Sequence, residues 1–477
     1  MDYKKIGLKA GLEIHQQLDT NKLFCNCSSY LRSDEPDYLI SRKLHKVAGE
    51  AGEVDIAVEY EAARGKEFVY QGYNDSICLV ELDEEPPHKI NQHALDEALK
   101  IALLLNCEIY PVTQIMRKTV IDGSNTSGFQ RTMLIAHDGW IETSFGKVEI
   151  ESVALEEDAA RIVSREDKKV TYRLDRLGIP LVEIGTKPQL DSADKIKEAA
   201  LKIGEILRAC KVKRGLGTIR QDLNISIKGH DRVEIKGFQD QKMMIKTTDL
   251  EIKRQRDELK KGKKKGEVRN AKEDGTTEFL RPLPGGDRMY PETDLTLFYM
   301  GREKINEIKK ILPKLRKEIK AELEKKGLTE NLIDLVLEGN IDEFEVLMHV
   351  YNKDANLVAK MVTLWRNEFA TKLKKSFDEI KVVLSERVLE KVLEKLSKGD
   401  ISEGDVKDIL WKVASGEKLE HAINVEKVGH DVLEEEIAKI VKEKPGLRAN
   451  AYMGLVIAKI PHADKRKAME ILNRIVK

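Results

Sequence analysis

Net charge is what this sequence most plainly lacks. Its 83 Lys and Arg are matched by 83 Asp and Glu, so no global field draws the chain onto nucleic acid or an anionic membrane. Any RNA contact must come from local patches. No apolar run approaches the roughly 18 residues that read as a membrane span, and the opening MDYKKIGLKAGLEIH lacks the charged-then-apolar build of a secretion signal. A soluble, cytoplasmic protein with no membrane partner is expected. The five cysteines, Cys25, Cys27, Cys78, Cys107 and Cys210, are an odd number without a signal peptide, which argues against a disulfide framework. Cys25-Asn26-Cys27 could be half of a zinc site, but no second C-x-x-C pair follows; free or core thiols, and no zinc, are expected. The phosphate-loop pattern G-x-x-x-x-G-K-[ST] and the dinucleotide fingerprint are also absent.

With 477 residues and 41% hydrophobic content, the chain is long enough for several cores. Residues 1–298 mix β-rich runs such as KVEIESVAL and RVEIKGF with helical patterns from His93 and Ser192, which reads as a large α+β domain. RPLPGGDRMYPETD breaks the pattern, since Pro282, Pro284, Gly285, Gly286 and Pro291 sustain neither a helix nor a central strand. Beyond it the periodicity is helical almost throughout. Gly399 and Gly404 suggest a joint, giving a helical domain over 299–404 and a small tail over 405–477. The run Lys242–Arg269 carries eleven Lys or Arg against five Asp or Glu. It reads either as a solvated helix ending in a basic loop or as an RNA phosphate-contacting surface.

Four segments could carry chemistry. In GLEIHQQL, Glu13 and His15 are two apart, so on a strand both would point to one side while Leu12 and Ile14 pack behind. LEEDAAR places Glu156, Glu157 and Asp158 in a row; alone it suggests a helix start or a solvated turn, because adjacent acids repel. In RLDRLGIPLVEIG, Glu183 within an apolar strand needs a partner if buried, and a metal ion is one. IRQDLNISI sets Asp222 and Asn224 two apart on the face opposite its buried residues. Hard oxygen donors with one imidazole, drawn from separate strands, suit Mg²⁺ assisted by substrate phosphates. MRKTVIDGSNTSGFQRT adds Arg117, Lys118 and Arg131 around a Gly-rich stretch, read either as an ordinary surface loop or as an anion site with basic clamps.

Taken together and in order, GLEIHQQLDTNKLFCNC, VIDGSNTSGFQRT, LEEDAAR, LDRLGIPLVEIG, IRQDLNISI, VEIKGFQD and RPLPGGDRMYPETDL resemble the GatB/GatE family of aminoacyl-tRNA amidotransferase subunits. The match spans residues 1 to about 300, with a weaker one in ANAYMGLVIAKI. GEAGEVDIAVEYEAARGKEFVYQGY and ELDEEPPH look like the archaeal E branch rather than the bacterial and organellar B branch. The resemblance implies a cradle-type catalytic domain (1–298), a helical domain and a tRNA-binding tail. It implies that ATP phosphorylates the γ-carboxylate of glutamate on mischarged tRNA(Gln) and that ammonia then displaces phosphate. An asparaginase-like glutaminase partner, in a heterotetramer, would supply that ammonia, because no glutaminase signature is present here. By motif position Glu13, His15 and Glu157 would be catalytic and, with Glu183, would hold Mg²⁺. Arg117, Lys118, Ser124, Asn125, Arg131, Arg176, Asp222 and Asn224 would bind nucleotide or substrate. Two departures stand out: the second cysteine pair of zinc-bearing B-type members is missing, and so is the aspartyl-tRNA-synthetase-like insertion of many E-type members. A B-type enzyme with an amidase partner and a non-catalytic tRNA scaffold are the competing readings. A scaffold has no use for Glu13, His15, Glu157 and Glu183.

Overall fold

The computed structural model describes residues 2–48, 52–238, 241–285, 289–423, 430–460 and 465–476. Parts of three quoted motifs, at 49–51, 239–240 and 286–288 (Gly286 among them), lie outside the described residues. The chain divides into two compact units, Met1–Leu315 and Arg316–Lys477.

Period-2 alternation builds the first unit. Ten strands lie side by side in the order Thr277–Pro282, Glu267–Ala271, Val233–Phe238, Ile219–Ser226, Lys9–Gln17, Pro180–Thr186, Gly146–Glu157, Phe129–Thr143, Ile115–Thr119 and Met289–Pro291. The short strand Glu108–Ile109 joins as an eleventh. All neighbours are antiparallel except Val233–Phe238 and Glu267–Ala271, which are parallel and therefore need a crossover. The helix Gln241–Lys260 supplies it, so the basic run is this helix plus the exposed turn after it. Prolines mark both edge strands, Pro282 on one and Pro291 on the other, where a missing N–H disrupts no central ladder. The irregular RPLPGGDRMYP segment thus ends one edge and begins the other.

Alternation also gives the sheet two unlike faces. Leu12, Ile14, Val182, Ile184, Leu223 and Ile225 are buried on one of them, in a core shared with the helices Gln92–Leu104 and Ala193–Ala209. Asn91 and Ser192 cap those helices, accepting from His93 and Ala94 amides and from the Lys195 amide respectively. Across the strands Glu13 faces Asp222, and His15 faces both Glu183 and Arg220, so the other face is polar. A separate four-stranded sheet, Tyr38–Arg42, Glu67–Gly72, Lys169–Arg173 and Arg161–Arg165 in that order, has its own core around Phe68, Tyr70, Tyr73 and Tyr172.

The second unit is helical among its described residues and holds two apolar cores. One runs from Leu323 to Ala422; the other joins Leu433, Ile437, Tyr452, Val456, Ile471 and Leu472. Gly399 is a left-handed helix C-cap and Ser402 caps the next helix, Glu403–Ala414. That helix packs Val406, Ile409 and Leu410 into the first core, so the suggested joint is a turn inside one packed body.

Candidate active site on the polar face of the large sheet

The polar face encloses a cavity of about 590 Å³, within the usual range for small-molecule sites. At its centre His15 Nε2 lies 3.1 Å from Glu183 Oε2 and 3.5 Å from Glu13 Oε1. The three side chains are half-buried, and their ligand atoms lie within 4.8 Å of one another, close enough to share a metal ion. Lys118 Nζ is 2.7 Å from Glu156 and 3.6 Å from Glu183. Thr132 and Gln130 also donate to Glu156, at 3.1 and 2.9 Å. On the other side of His15, Lys236 bridges Asp222 and Glu234, each at 2.7 Å.

The charges are tightly coupled. Burial and the neighbouring Glu183 carboxylate push Glu13 up to about 7. Burial alone would lower His15, but its hydrogen bond to Glu183 and the charges of Glu183 and Glu13 hold it up at about 9. Burial would raise Glu183, yet Lys118 and His15 outweigh it and keep its carboxyl well below the usual range. Two carboxylates forced together without full neutralisation favour a cation between them. The donor set, two carboxylates and an imidazole with space beside them, fits Mg²⁺ that keeps waters or phosphate oxygens as its remaining ligands.

The wall carries six carboxylates, Glu13, Glu156, Asp158, Glu183, Asp222 and Glu234, against five Lys and Arg: Lys118, Arg220, Arg232, Lys236 and Arg281. A nucleotide polyphosphate therefore enters a wall with no surplus of positive charge, and a divalent ion would supply the deficit. Ser124 and Asn125 also line the cavity. Their turn, read from sequence as a loop, is held by Tyr70 and Tyr172, whose hydroxyls donate to the carbonyls of Gly123 and Asp122 at 2.9 and 2.8 Å. Gly123 has φ +89°, and a Cβ there would collide with the Phe68 ring, so only glycine fits.

Strand parity separates the sequence-expected residues into two groups. Glu13, His15, Lys118, Ser124, Asn125, Glu183 and Asp222 come together at the cavity. Asn224 follows Asp222 along the same strand, opposite Gly11, and its amide oxygen is buried without a hydrogen bond. Glu157, Arg117 and Arg131 lie on the reverse face. Arg131 donates to Glu292 at 2.9 Å and approaches Glu157 at 3.4 Å, while Arg117 pairs with Glu292 and Asp294. Arg176 braces the turn after Glu157, donating to the carbonyls of Ala159 and Ala160 at 2.7 and 3.0 Å. The reason is the two-residue repeat: Glu157 shares the side of Leu155, which is core, and Glu156 shares the side of Ala154, which is paired with Glu183. LEEDAAR is accordingly a buried strand end and turn rather than a solvated one.

Sequence reasoning passed over Glu156 as a cavity residue, and also Gln130, Arg220 and Lys236. Alternation in VALEE and IRQDLNIS, with the apolar positions as phase reference, is the signal that finds Glu156 and Arg220. It also missed a cluster in space. The Cys25-x-Cys27 pair has no second C-x-x-C, but the fold brings Cys78 and Glu81 to it.

The family model for the GatB/GatE catalytic domain matches residues 8–306. The E subunit of glutamyl-tRNA(Gln) amidotransferase from Methanocaldococcus jannaschii is 37% identical over 638 aligned positions, covering 100% of this chain and 99% of the relative. The E subunit from Methanothermobacter thermautotrophicus is 34% identical over 591 positions, covering 95% and 94%. That of Methanococcus vannielii is 53% identical over 256 positions, covering 53% of this chain and 40% of the relative. With a family model across more than half of the chain and a relative aligned along nearly its whole length, the chain belongs to the GatB/GatE family.

Proposed function

We propose that the polar cavity activates the γ-carboxylate of glutamate on mischarged tRNA(Gln) with ATP and then amidates it. The observation that carries this reading is the Glu13, His15 and Glu183 cluster at the centre of a charge-balanced cavity. Mg²⁺ held by Glu13, His15 and Glu183 would offset phosphate charge when ATP binds. Lys118, Arg220 and Lys236 orient the phosphates and the substrate carboxylate, and Ser124 and Asn125 hydrogen-bond the ligand at the cavity rim.

In the first step a γ-carboxylate oxygen attacks the terminal phosphorus of ATP and ADP leaves. In the second, ammonia nitrogen attacks the acyl-phosphate carbon, phosphate leaves, and a cavity carboxylate accepts the excess proton. Catalysis of such transfers rests on positioning and charge neutralisation, which suits a site of fixed ion pairs without an activated nucleophile. An asparaginase-like glutaminase in a heterotetramer is the proposed ammonia source, and Glu-tRNA(Gln) is the substrate.

Hydroxylamine in place of ammonia tests the intermediate. An acyl phosphate would be captured as a hydroxamate on the tRNA, and its formation should need ATP. Hydroxamate without ATP, or none with it, would sink the two-step reading.

A further inference from the structure

Positive charge collects at the turn that ends the crossover helix Gln241–Lys260. KKGKKKG (260–266) and the loop IKGHDR (227–232) packed against it hold seven Lys and Arg and one acid, Asp231. The chain as a whole is neutral, so this is a local excess. The turn also has a fixed shape. The Lys261 and Lys263 amides donate to the Glu258 carbonyl at 2.9 Å, and the Gly262 amide donates to the Leu259 carbonyl at 3.0 Å. Gly262, at φ +74°, takes the left-handed conformation that ends the helix. On the other side the Asp231 amide donates to the Lys264 carbonyl at 2.8 Å, and a Cβ at Gly266 would collide with the Arg232 carbonyl.

Residues 260–265 are all exposed, and the neighbouring acids are engaged elsewhere. Asp257 pairs with Lys260 at 2.7 Å, Glu258 with Arg254 and His230, and Glu267 with Arg254 and Arg269. Lys261, Lys263, Lys264 and Lys265 form no ion pair among the described residues. A cation at a helix C-terminus complements the helix dipole, but that effect is confined to the last turn and is worth about 1 kcal/mol or less. Four further lysines exceed that need. Like charges held side by side repel one another, and a polyanion laid across them removes the repulsion.

The position of the turn selects the polyanion. Arg232, whose carbonyl abuts Gly266, also lines the catalytic cavity, as does Arg281, so the basic stretch runs outward from the cavity wall. A tRNA with its aminoacylated end in the cavity carries its phosphates out past that wall. We infer, on the reading of the cavity as the glutamyl-tRNA site, that the lysine turn 261–265 binds backbone phosphates of the tRNA next to the cavity. The contact is independent of base sequence, because an ammonium on a flexible stem acts as a point charge and reads no base edge.

The test replaces all four lysines in the full chain (Lys261→Gln, Lys263→Gln, Lys264→Gln and Lys265→Gln) and titrates uncharged tRNA(Gln) by fluorescence anisotropy at increasing KCl. Each phosphate contact adds about 0.7 to 0.9 to the slope of log affinity against log salt, so the variant's slope should be shallower by about 3. The KM for Glu-tRNA(Gln) should rise at least about tenfold, with the KM for ATP and the rate at saturating tRNA unchanged. The corresponding four-site Lys→Arg variant should keep the wild-type slope, since charge is what is read. Parallel salt dependences in wild type and the Gln variant would overturn the assignment. So would binding to phosphatidylserine vesicles that is lost in the variant while tRNA affinity is kept. Binding needs no turnover, so the two readings fail separately. ATP-dependent amidation with identical salt slopes removes the turn from tRNA binding, whereas a shallower slope without ATP-dependent product keeps the contact and removes the proposed reaction.

Discussion

Two adjacent glutamates have different tasks because a strand sends successive side chains to opposite faces. Glu156 meets Lys118 at the cavity, while Glu157 meets Arg131 behind it, where burial lifts its carboxyl above the usual range against the pull of Arg131. Glu156→Gln should reduce amidation by roughly a hundredfold or more, the scale of losing one preorganised charge, and should lower stability as well, because this buried carboxylate pairs with Lys118 at 2.7 Å and accepts from Thr132 and Gln130. Glu157→Gln should instead leave amidation nearly unchanged and cost little stability, because burial already disfavours its charge and Arg131 keeps its bond to Glu292 at 2.9 Å. Steady-state rates and urea unfolding of both variants check this; the reverse pattern would return Glu157 to the reaction centre.

Asp158 gives the pH dependence. Burial alone would raise it, but Arg220, Arg176 and a 2.6 Å hydrogen bond from Gln17 hold it below the usual carboxylate range. A carboxyl lowered on folding stabilises the native state above its unfolded value, and that contribution disappears as pH falls through the folded value. Asp158→Asn should therefore cost about 3 kcal/mol at neutral pH and flatten the acid side of the stability curve. Unfolding free energies measured across that acid range would refute it if wild type and variant ran parallel.

At the scale of elements, the strands were legible because their alternation is regular: Gly146–Glu157, Val233–Phe238 and the GLEIH strand all stand where their patterns put them. The helix start at Ser192 was legible from its capping chemistry, whereas the pattern read from His93 begins one residue inside the helix Gln92–Leu104, whose cap Asn91 it missed. What stayed hidden was pairing at long range. No local pattern reveals that Glu183 lies opposite His15, or that Cys78 reaches Cys25 across two irregular segments. The stretch EVLMHVYNKDANLVAKMVTLWRNEF reads as continuous helical periodicity, yet the chain breaks it into Ile341–Val350, Ala355–Val362 and Leu364–Leu373. Asp354 caps the second helix, accepting from the Leu357 amide. The packing there rests on a buried pair. Arg366, fully enclosed, donates to both oxygens of Glu343 at 2.7 and 2.6 Å and also to the Leu384 carbonyl. Glu343→Ala strands that guanidinium and should cost about 3 to 5 kcal/mol, read as a lowered unfolding midpoint. A cost below about 1 kcal/mol would mean that water reaches Arg366.

At the scale of the molecule, the alignment with the Methanocaldococcus jannaschii relative runs about 160 positions beyond the 477 residues present here, in keeping with the missing insertion. The large sheet and both of its faces form without those extra positions, so the cavity does not depend on them. Nor does any described helix have the length and apolar content to cross a membrane. What the cavity is proposed to carry out is ATP- and Mg²⁺-dependent amidation. The most direct measurement follows phosphate release from ATP and glutamine formation on the tRNA together, for wild type and Glu183→Gln, with an ammonium salt replacing the partner. Equal yields of phosphate and Gln-tRNA(Gln) that require Mg²⁺ and the charged tRNA are expected, with loss of both in Glu183→Gln while the fold stays intact. Product formed without ATP, or undiminished in Glu183→Gln, would contradict that assignment.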